Sequence, residues 1–301
     1  MSRDEGIRPA RLRVGVISAG RVGAVLGAAL ARAGHTVTGV SAVSTASLNR
    51  AENLLPGVPV LPPDQVAVDC DLLLLAIPDD RLPGMVKGLV AAGVLRPGQI
   101  IVHTSGAHGV AVLAPTIELG LLPLALHPAM TFGGRDEDLT RLASCCIGVT
   151  ATEEDEAAWH VGEALVVEMG AEPVRIPERA RPLYHAALAH GSNHLITLVN
   201  DCTKLLASAG IASPSRLLGP LLSASLDNSL RHADRALTGP VARGDAGTVA
   251  THIQVLRDAE PELLPSYVAL AKRTAQRAEE SGQLRHEAAD EVLHVLDQEN
   301  R

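Results

Sequence analysis

Apolar and polar residues change their spacing at regular intervals along the first half of the chain. Runs rich in branched aliphatic residues, such as RLRVGVI at residues 11–17 and CDLLLLAIP at residues 70–78, predict buried β-strands. Ala-rich segments with apolar positions at helical spacing, such as RVGAVLGAALARAG at residues 21–34, predict helices. This alternation predicts a doubly wound α/β sheet.

The strand pattern stops after residue 177. Before that point, further strands are predicted at residues 35–41, 58–61, 98–106, 120–128, 145–150 and 171–176, and further helices at residues 44–57, 81–93 and 153–170. Beyond it, helices are predicted at residues 178–210, 213–233, 245–259, 261–280 and 285–298. We therefore predict an α/β domain over residues 11–177 and an all-helical domain over residues 178–301.

Composition narrows the class of protein. The 301 residues are 47% hydrophobic and 20% charged, as in a soluble globular protein. A net charge of -8 and an aromatic content of 1% argue against nucleic-acid binding. The N-terminus lacks the apolar segment of a signal peptide, no apolar run is long enough to cross a membrane, and the cysteines show no CxxC spacing. We expect a cytoplasmic protein without a nucleic-acid or membrane partner.

A glycine-rich turn follows the first predicted strand. The dinucleotide fingerprint is G-x-G-x-x-G, and this chain keeps its second and third glycines but has serine in the first position. Because backbone N–H groups at a helix start bind phosphate, we predict a dinucleotide site here. Its residues are Ser18, Ala19, Gly20, Arg21, Val22 and Gly23. The alternative is a tight turn without a ligand.

The second predicted strand indicates which dinucleotide binds. NAD enzymes usually carry an acidic residue at this strand end to hold the ribose hydroxyls. Here VSAVSTASLNR offers Ser41, Ser44 and Arg50, and no carboxylate before Glu52. Hydroxyls and an arginine suit a 2′-phosphate, so we predict NADP as the cofactor, with Ser41 and Ser44 among its ligands.

Three further strand ends carry polar loops, at AIPDD (76–80), HTSGAHG (103–109) and LHPAMTF (126–132). Ligands of open α/β sheets lie outside the carboxyl ends of the strands. We therefore predict cofactor contacts from Ala76, Pro78 and Thr104, and substrate contacts from Ser105, Gly106 and His127. The alternative for each residue alone is an ordinary turn position.

These motifs, followed by YHAALAHGSNH (184–194) and ALTGPVARGDAGTVATH (236–252), resemble one family over about residues 11–280. It comprises Rossmann-like oxidoreductases with a C-terminal domain of unknown function 2520, distant relatives of ketopantoate reductase, pyrroline-5-carboxylate reductase and the β-hydroxyacid dehydrogenases. The resemblance implies a Rossmann-type sheet and NADP-dependent oxidoreductase activity. β-Hydroxyacid dehydrogenases use the lysine of a K-x-x-x-N motif; Asn193 matches its asparagine, but Ala189 stands at the lysine position, so the lysine mechanism does not carry over.

The stretch YHAALAHGSNH supplies other groups for the chemistry. Hydride transfer to a carbonyl generates an alkoxide, which needs a proton donor. His185 and Asn193 share one helix face, so we predict His185 as the donor, Tyr184 as the second candidate and Asn193 as the residue that orients the substrate oxygen. With Ser105, His185 and Asn193 form the predicted catalytic set. The alternative is a polar cluster that bonds only to neighbouring protein groups.

The histidine pair in α-helical spacing and the Thr-Gly-Pro stretch also suggest sites. His190 and His194 have the spacing of two metal ligands on a helix, but no third ligand is evident, so we expect no metal site. The Thr-Gly-Pro stretch that interrupts the helices is predicted to face the substrate through Thr238. The alternative is a helix start capped at Asp245.

The predicted function is NADP-dependent hydride transfer to a C=O or C=N bond of a small anionic metabolite, with a 2-keto acid such as ketopantoate as a candidate. We expect a homodimer formed through the helical domain. Two alternatives stay open: an NADP(H)-binding sensor without turnover, and a reductase that uses a deazaflavin.

Overall fold

The computed structural model describes residues 11–298, and it confirms the predicted class of a Rossmann-type sheet followed by helices. These residues divide into two compact units between Ala189 and His190. The sequence predicted a boundary after residue 177, where the strands end. The units divide later because the first turns of the following helix are bound to the sheet through Arg181 and Tyr184.

Seven strands form one sheet in the order β2-β1-β3-β4-β5-β6-β7. The strands are β1 (Arg13–Ile17), β2 (Thr36–Val40), β3 (Leu72–Leu75), β4 (Ile100–His103), β5 (Leu122–Pro128), β6 (Cys146–Thr150) and β7 (Glu172–Arg175). β2 and β3 lie on opposite sides of β1. The turn after β1 therefore lies at the point where the strand order reverses, which is the usual ligand position in such sheets.

Two features of the sheet differ from the pattern in the sequence. β6 runs antiparallel to β5, because the connection between them begins and ends at the same end of the sheet, where the Ala129 N–H donates to the Cys146 carbonyl over 2.9 Å. The strand predicted at residues 58–61 is reduced to an isolated bridge between Val40 and Val60. Pro59 and Pro62 limit pairing there, because proline has no N–H to donate.

Helices cover both faces of the sheet. They are α1 (Arg21–Arg32), α2 (Thr45–Leu54), α3 (Pro63–Val68), α4 (Leu82–Ala91), α5 (Ala114–Ile117), α6 (Glu137–Leu142) and α7 (Glu156–Glu168). β3 shows the resulting layers: Leu72 and Leu74 belong to the core under α1 and α7, whereas Leu73 and Leu75 belong to the core under α3 and α4. Burial on both faces explains the unbroken apolar run of this strand.

The second unit is helical. It contains the part of α8 (Arg181–Ser208) that follows Ala189. Its other helices are α9 (Pro214–His232), α10 (Gly239–Arg243), α11 (Ala246–Ala259), α12 (Leu264–Glu280) and α13 (His286–Asp297). Val249, Ala275 and Val292, on three different helices, are fully buried in its core. None of the helices in the described part of the chain combines the length and apolar character needed to cross a membrane.

Close packing of α7 on the sheet gives a stability prediction. A Cβ built on Gly162 lies 2.8 Å from Val149 Cγ1, so Gly162→Ala forces α7 away from β6. We expect it to lower the free energy of unfolding by about 1–3 kcal/mol. Gly88 in α4 has open space around it, so Gly88→Ala should raise stability by about 0.5–1 kcal/mol. Urea unfolding of both variants measures the difference, and equal effects would contradict this packing.

Candidate functional site

The turn between β1 and α1 depends on a missing side chain at Gly23. A Cβ there would lie 2.1 Å from the Ser18 carbonyl oxygen and 2.8 Å from Ala76 Cβ. Gly20 has more room, since its Cβ would meet Ser18 Oγ at 3.3 Å. The third glycine of the fingerprint thus permits contact between α1 and the strand ends, and the second keeps the approach to the helix start open.

Serine at the first fingerprint position is held by a second serine. Ser18 has a φ of 82°, a left-handed conformation that glycine adopts more readily. The Ser18 N–H donates to Ser41 Oγ over 2.8 Å, and the Ala19 N–H donates to the Ser41 carbonyl over 2.7 Å. Ser41 is buried, so its contacts are those of a residue that supports the turn. Its predicted contact with a phosphate stays a prediction.

The start of α1 has the features of an anion site. Its first turn contains no acidic residue, and its first backbone N–H groups have no partner within the helix. Arg50 Nε donates to the Ala19 carbonyl over 3.3 Å. A Cβ built on Gly134 would lie 2.6 Å from Arg50 Cδ and 3.0 Å from Arg21 Cγ, so both arginines lie beside the turn. This cradle fits the phosphates of a dinucleotide.

A cavity of about 420 Å³ opens from the glycine turn. It lies at the carboxyl ends of β1, β3, β4 and β5 and beside the start of α8. Its lining consists of Ser18, Gly20, Arg21, Val22, Ala76, Ile77, Pro78, Asp79, Thr104, Ser105, Gly106, His127 and His185. Eleven of these were predicted from the sequence as cofactor, substrate or catalytic residues; Ile77 and Asp79 were not.

The loop after β4 is fixed by groups beneath it. His103 is fully buried; its Nε2 donates to the Gly109 carbonyl over 2.8 Å, and its Nδ1 accepts the Ser105 N–H over 3.2 Å. Glu178 caps the following turn by accepting the N–H groups of Val110 and Ala111. Burial lowers the pKa of His103 to about 4, so the imidazole is neutral and supports the loop rather than exchanging protons at neutral pH.

Arg181 is a fully buried cation at the first position of α8. Its Nη2 donates to the carbonyls of Ala125 and Gly148, both over 2.9 Å, and its Nη1 donates to the Ser105 carbonyl over 3.2 Å. Its Nε donates to Thr150 Oγ1 over 2.7 Å. Burial lowers its pKa to about 10, so it remains charged at neutral pH. Arg181 therefore joins β5, β6 and the loop after β4 to the start of α8.

Three aromatic rings meet at the wall of the cavity. His127 Nδ1 lies 2.9 Å from the Tyr184 hydroxyl, and the His127 ring stands edge-on to His185 with centroids 6.1 Å apart. Gly106 lies between the two histidines, since a Cβ there would be 2.6 Å from His185 Cδ2 and 2.8 Å from His127 Nε2. The structure thus brings His127 and His185 together, with Tyr184 behind His127.

Several predicted residues lie elsewhere. The side chain of Ser44 accepts the Ser47 N–H as the N-cap of α2. Asn193 is exposed on the part of α8 that belongs to the second unit. Thr238 precedes α10 and lines a mostly apolar cavity of about 350 Å³ within that unit, together with His252 and Tyr267. Their predicted roles stay predictions.

The sequence did not predict roles in the site for Arg181, Glu178 and Asp79. Arginine and glutamate are mostly exposed in proteins, so ERAR before a helix is typical of a solvated helix start. Asp79 lies in the AIPDD loop, for which the sequence predicts contacts only from Ala76 and Pro78. A buried cation whose hydrogen bonds go to backbone carbonyls and a hydroxyl is visible only once the strands are assembled.

Two family models match the chain. Residues 1–128 match a Rossmann-like domain, and residues 145–274 match a domain of unknown function, DUF2520. The chain therefore carries both domains of the family that its motifs resemble, which confirms the resemblance. No curated protein matches the chain.

Solved structures from several organisms share the fold. A candidate NADP oxidoreductase from Bacteroides fragilis has a TM-score of 0.74 at 18% identity, covering 88% of this chain and 98% of its own. Plasmodium falciparum pyrroline carboxylate reductase with NADP bound has a TM-score of 0.57 at 10% identity, covering 96% and 99%. An imine reductase from Pseudomonas sp. has a TM-score of 0.58 at 18% identity, covering 96% and 93%.

The neutral state of His103 predicts a pH-dependent stability. Its folded pKa of about 4 lies below the usual 6.5, so the folded protein binds fewer protons here than the unfolded chain. This contribution is complete above about pH 6.5 and is lost as the pH falls toward 4, by about 2 kcal/mol at pH 5. Urea unfolding at pH 7.5 and pH 5 should show a smaller loss in His103→Gln than in the unmodified protein. His160→Gln, on the exposed side of α7, should not reduce the loss; equal losses in all three proteins would contradict the prediction.

Proposed function

We propose that this protein is an NADP-dependent oxidoreductase that transfers a hydride to the C=O or C=N bond of a small anionic metabolite. The observation that carries the proposal is a glycine turn at the start of α1 that opens into a cavity lined by Ser105, His127 and His185. Similarity in fold to an NADP-bound pyrroline carboxylate reductase supports the cofactor, and similarity to imine reductases supports hydride transfer.

The charges around the turn support NADP over NAD. Arg21 and Arg50 lie beside the turn, and a guanidinium binds phosphate through charge-assisted hydrogen bonds. Residues 41–51, which follow β2, contain no carboxylate that would hold ribose hydroxyls or repel a 2′-phosphate. We assign the 2′-phosphate contact to Arg50, with Arg21 as its neighbour.

The residues of this chain would then position the substrate and supply a proton. The bound cofactor supplies the hydride. None of the three lysines lines the cavity, so we assign the proton donor to His185, because histidine is the most common general acid in enzymes. Ser105 and Gly106 form the cavity wall beside it. Substrate contacts by Asn193 and Thr238 remain predictions.

Nucleotide binding tests the proposal directly. A carboxylate in Gly20→Asp faces the helix start and repels the pyrophosphate, so we expect loss of binding of both NADPH and NADH. Arg50→Ala removes the proposed contact with the 2′-phosphate, which NADH lacks, together with a long hydrogen bond to the Ala19 carbonyl. NADPH should therefore bind about tenfold more weakly, and NADH nearly as well as before. Fluorescence titration measures both, and thermal melts check that the variants fold.

Arg32→Ala serves as the control, because Arg32 lies at the far end of α1 and pairs with Asp136. Its affinity for both nucleotides should equal that of the unmodified protein. Absence of binding by either nucleotide would overturn the proposal and leave the deazaflavin alternative. Tight NADPH binding without reduction of any keto acid or imine would favour the sensor.

We also propose that the protein is a homodimer formed through α9. This helix has 19 residues, of which only Leu218 is buried. Leu226 and Leu230, which lie four positions apart on one face of the helix, are 54% and 80% exposed. Among the described residues, Asp227 and Arg231 form an ion pair that is internal to the helix, so the leucine face can meet the same face of a second copy in a symmetric contact.

Replacing two of these leucines should separate the copies. We expect the double variant Leu226→Glu, Leu230→Glu to be monomeric, because it sets carboxylates in an apolar contact. Light scattering after gel filtration gives the mass, and circular dichroism checks the helices. Val167→Glu is the matched control, since Val167 is 60% exposed on α7 in the first unit. A monomeric unmodified protein, or a dimeric double variant, would refute this interface.

A further inference from the structure

The two ring nitrogens of His127 have different surroundings. Nδ1 lies 2.9 Å from the Tyr184 hydroxyl, on the side away from the cavity. Nε2 lies beside Gly106, and His127 is part of the cavity wall. The assignment of the imidazole proton therefore decides whether the cavity meets a donor or an acceptor.

The surroundings of Tyr184 favour one of the two assignments. Its hydroxyl is pressed against β6, where a Cβ on Gly148 would lie 2.8 Å from it, and His127 Nδ1 is its hydrogen-bond partner among the described residues. Burial raises the pKa of Tyr184, so the phenol keeps its proton. If Nδ1 carried a proton as well, the phenol proton would have no acceptor in a half-buried position, at a cost of about 1–3 kcal/mol. Tyr184 therefore donates to Nδ1, and Nε2 carries the proton of the ring.

Burial and nearby positive charge keep the His127 ring neutral. Burial, Arg181 and His185 lower its pKa to about 4, in that order of importance, while Asp79 acts in the opposite direction. The Arg181 guanidinium also lies over the Tyr184 ring, 5.7 Å from its centre. At neutral pH the cavity thus meets an uncharged imidazole beside a buried cation.

We propose that His127 donates an Nε2–H hydrogen bond to the carbonyl oxygen of the substrate, with Tyr184 as its positioning residue, and that the substrate is a carbonyl compound rather than a protonated imine. This inference rests on the proposed function. An iminium N–H would face another donor and would bring a positive charge close to Arg181. A carbonyl oxygen accepts the bond and carries the negative charge that develops during reduction.

The reaction balances with the groups already named. The substrate carbon gains a hydride, the π pair of the C=O bond moves to the oxygen, and that oxygen takes a proton from His185. His127 keeps its own proton and stabilises the developing alkoxide through the hydrogen bond. His127 is then a catalytic residue in direct contact with substrate, whereas Tyr184 acts through the tautomer of His127.

Nitrogen NMR of the histidine rings tests the tautomer without requiring activity. In protein labelled with ¹⁵N at histidine, we expect His127 to be in the Nε2–H form and uncharged from pH 8 to pH 5.5, with its signals assigned through His127→Gln. Tyr184→Phe removes the donor to Nδ1 and should give a mixture of both tautomers. A pure Nδ1–H form, or an imidazolium at pH 6, would overturn the proposal.

The second tyrosine of the chain supplies a matched control. The Tyr267 hydroxyl also lies 2.9 Å from the Nδ1 of a histidine, His252, in the second unit. Tyr267→Phe should therefore change the His252 signals and leave those of His127 unchanged. A change at His127 in this variant would show that the effect of Tyr184→Phe is not local.

Substrate class is tested with NADPH and two panels, one of 2-keto acids and one of cyclic imines. We expect reduction of keto acids only, a tenfold or greater loss of kcat in His127→Leu, and partial rescue in His127→Gln, which keeps an N–H donor. Reduction of imines alone would overturn the substrate assignment while the NMR result stands. If the unmodified protein does not bind NADPH, the proposed function is refuted. Failure of the substrate assignment and failure of the proposed function are therefore distinguishable.

Discussion

The candidate site depends on one buried cation. Arg181 donates hydrogen bonds to the carbonyls of Ala125, Gly148 and Ser105 and to the Thr150 hydroxyl, so backbone and hydroxyl oxygens replace the water around its charge. Burying an ion costs several kcal/mol unless such bonds replace water. Because Arg181 is the first residue of α8, these bonds also fix the next turn of the helix. Tyr184 and His185 stand three and four positions further on, and their places at the cavity follow from this anchor.

The same cation sets the electrostatics of the cavity wall. The chain as a whole is acidic, with a net charge of -8, yet the groups around the glycine turn and the cavity include Arg21, Arg50 and Arg181. Asp79 is the only carboxylate among the residues that line the cavity. Burial lowers the pKa of His103 and His127, and the positive charge of Arg181 lowers both further, so both imidazoles stay uncharged. The same positive potential favours an anionic ligand. Neutral donors near a cation suit a reaction in which negative charge develops on oxygen.

The sequence predicted the strands and long helices, but not the strand direction of β6 or the residues that hold loops and helix starts in place. The strands were predictable because burial on both faces requires an unbroken run of apolar residues. The long helices were predictable because burial of one face requires apolar residues at helical spacing. The reversal of β6 leaves no such mark, since periodicity carries no strand direction. Ser41 shows a second limit: the sequence does not reveal that a hydroxyl at a strand end also holds the neighbouring turn, as the Ser41 hydroxyl does by accepting the Ser18 N–H. Arg181 shows a third limit, because the same residue types occur at a helix start that is exposed to solvent and at one that is bound to the sheet by a buried arginine.

Serine can stand at the first position of the fingerprint because a hydrogen bond offsets the cost of its backbone conformation. A φ of 82° costs a non-glycine residue roughly 1 kcal/mol, which is comparable to one net hydrogen bond. The bond from the Ser18 N–H to Ser41 Oγ is therefore large enough to offset that cost. Ser18 Oγ also lies at the cavity, within 3.3 Å of the space a side chain would occupy at Gly20. Serine thus keeps the backbone path that glycine usually provides and adds a hydroxyl at the helix start, where a phosphate oxygen would accept its proton.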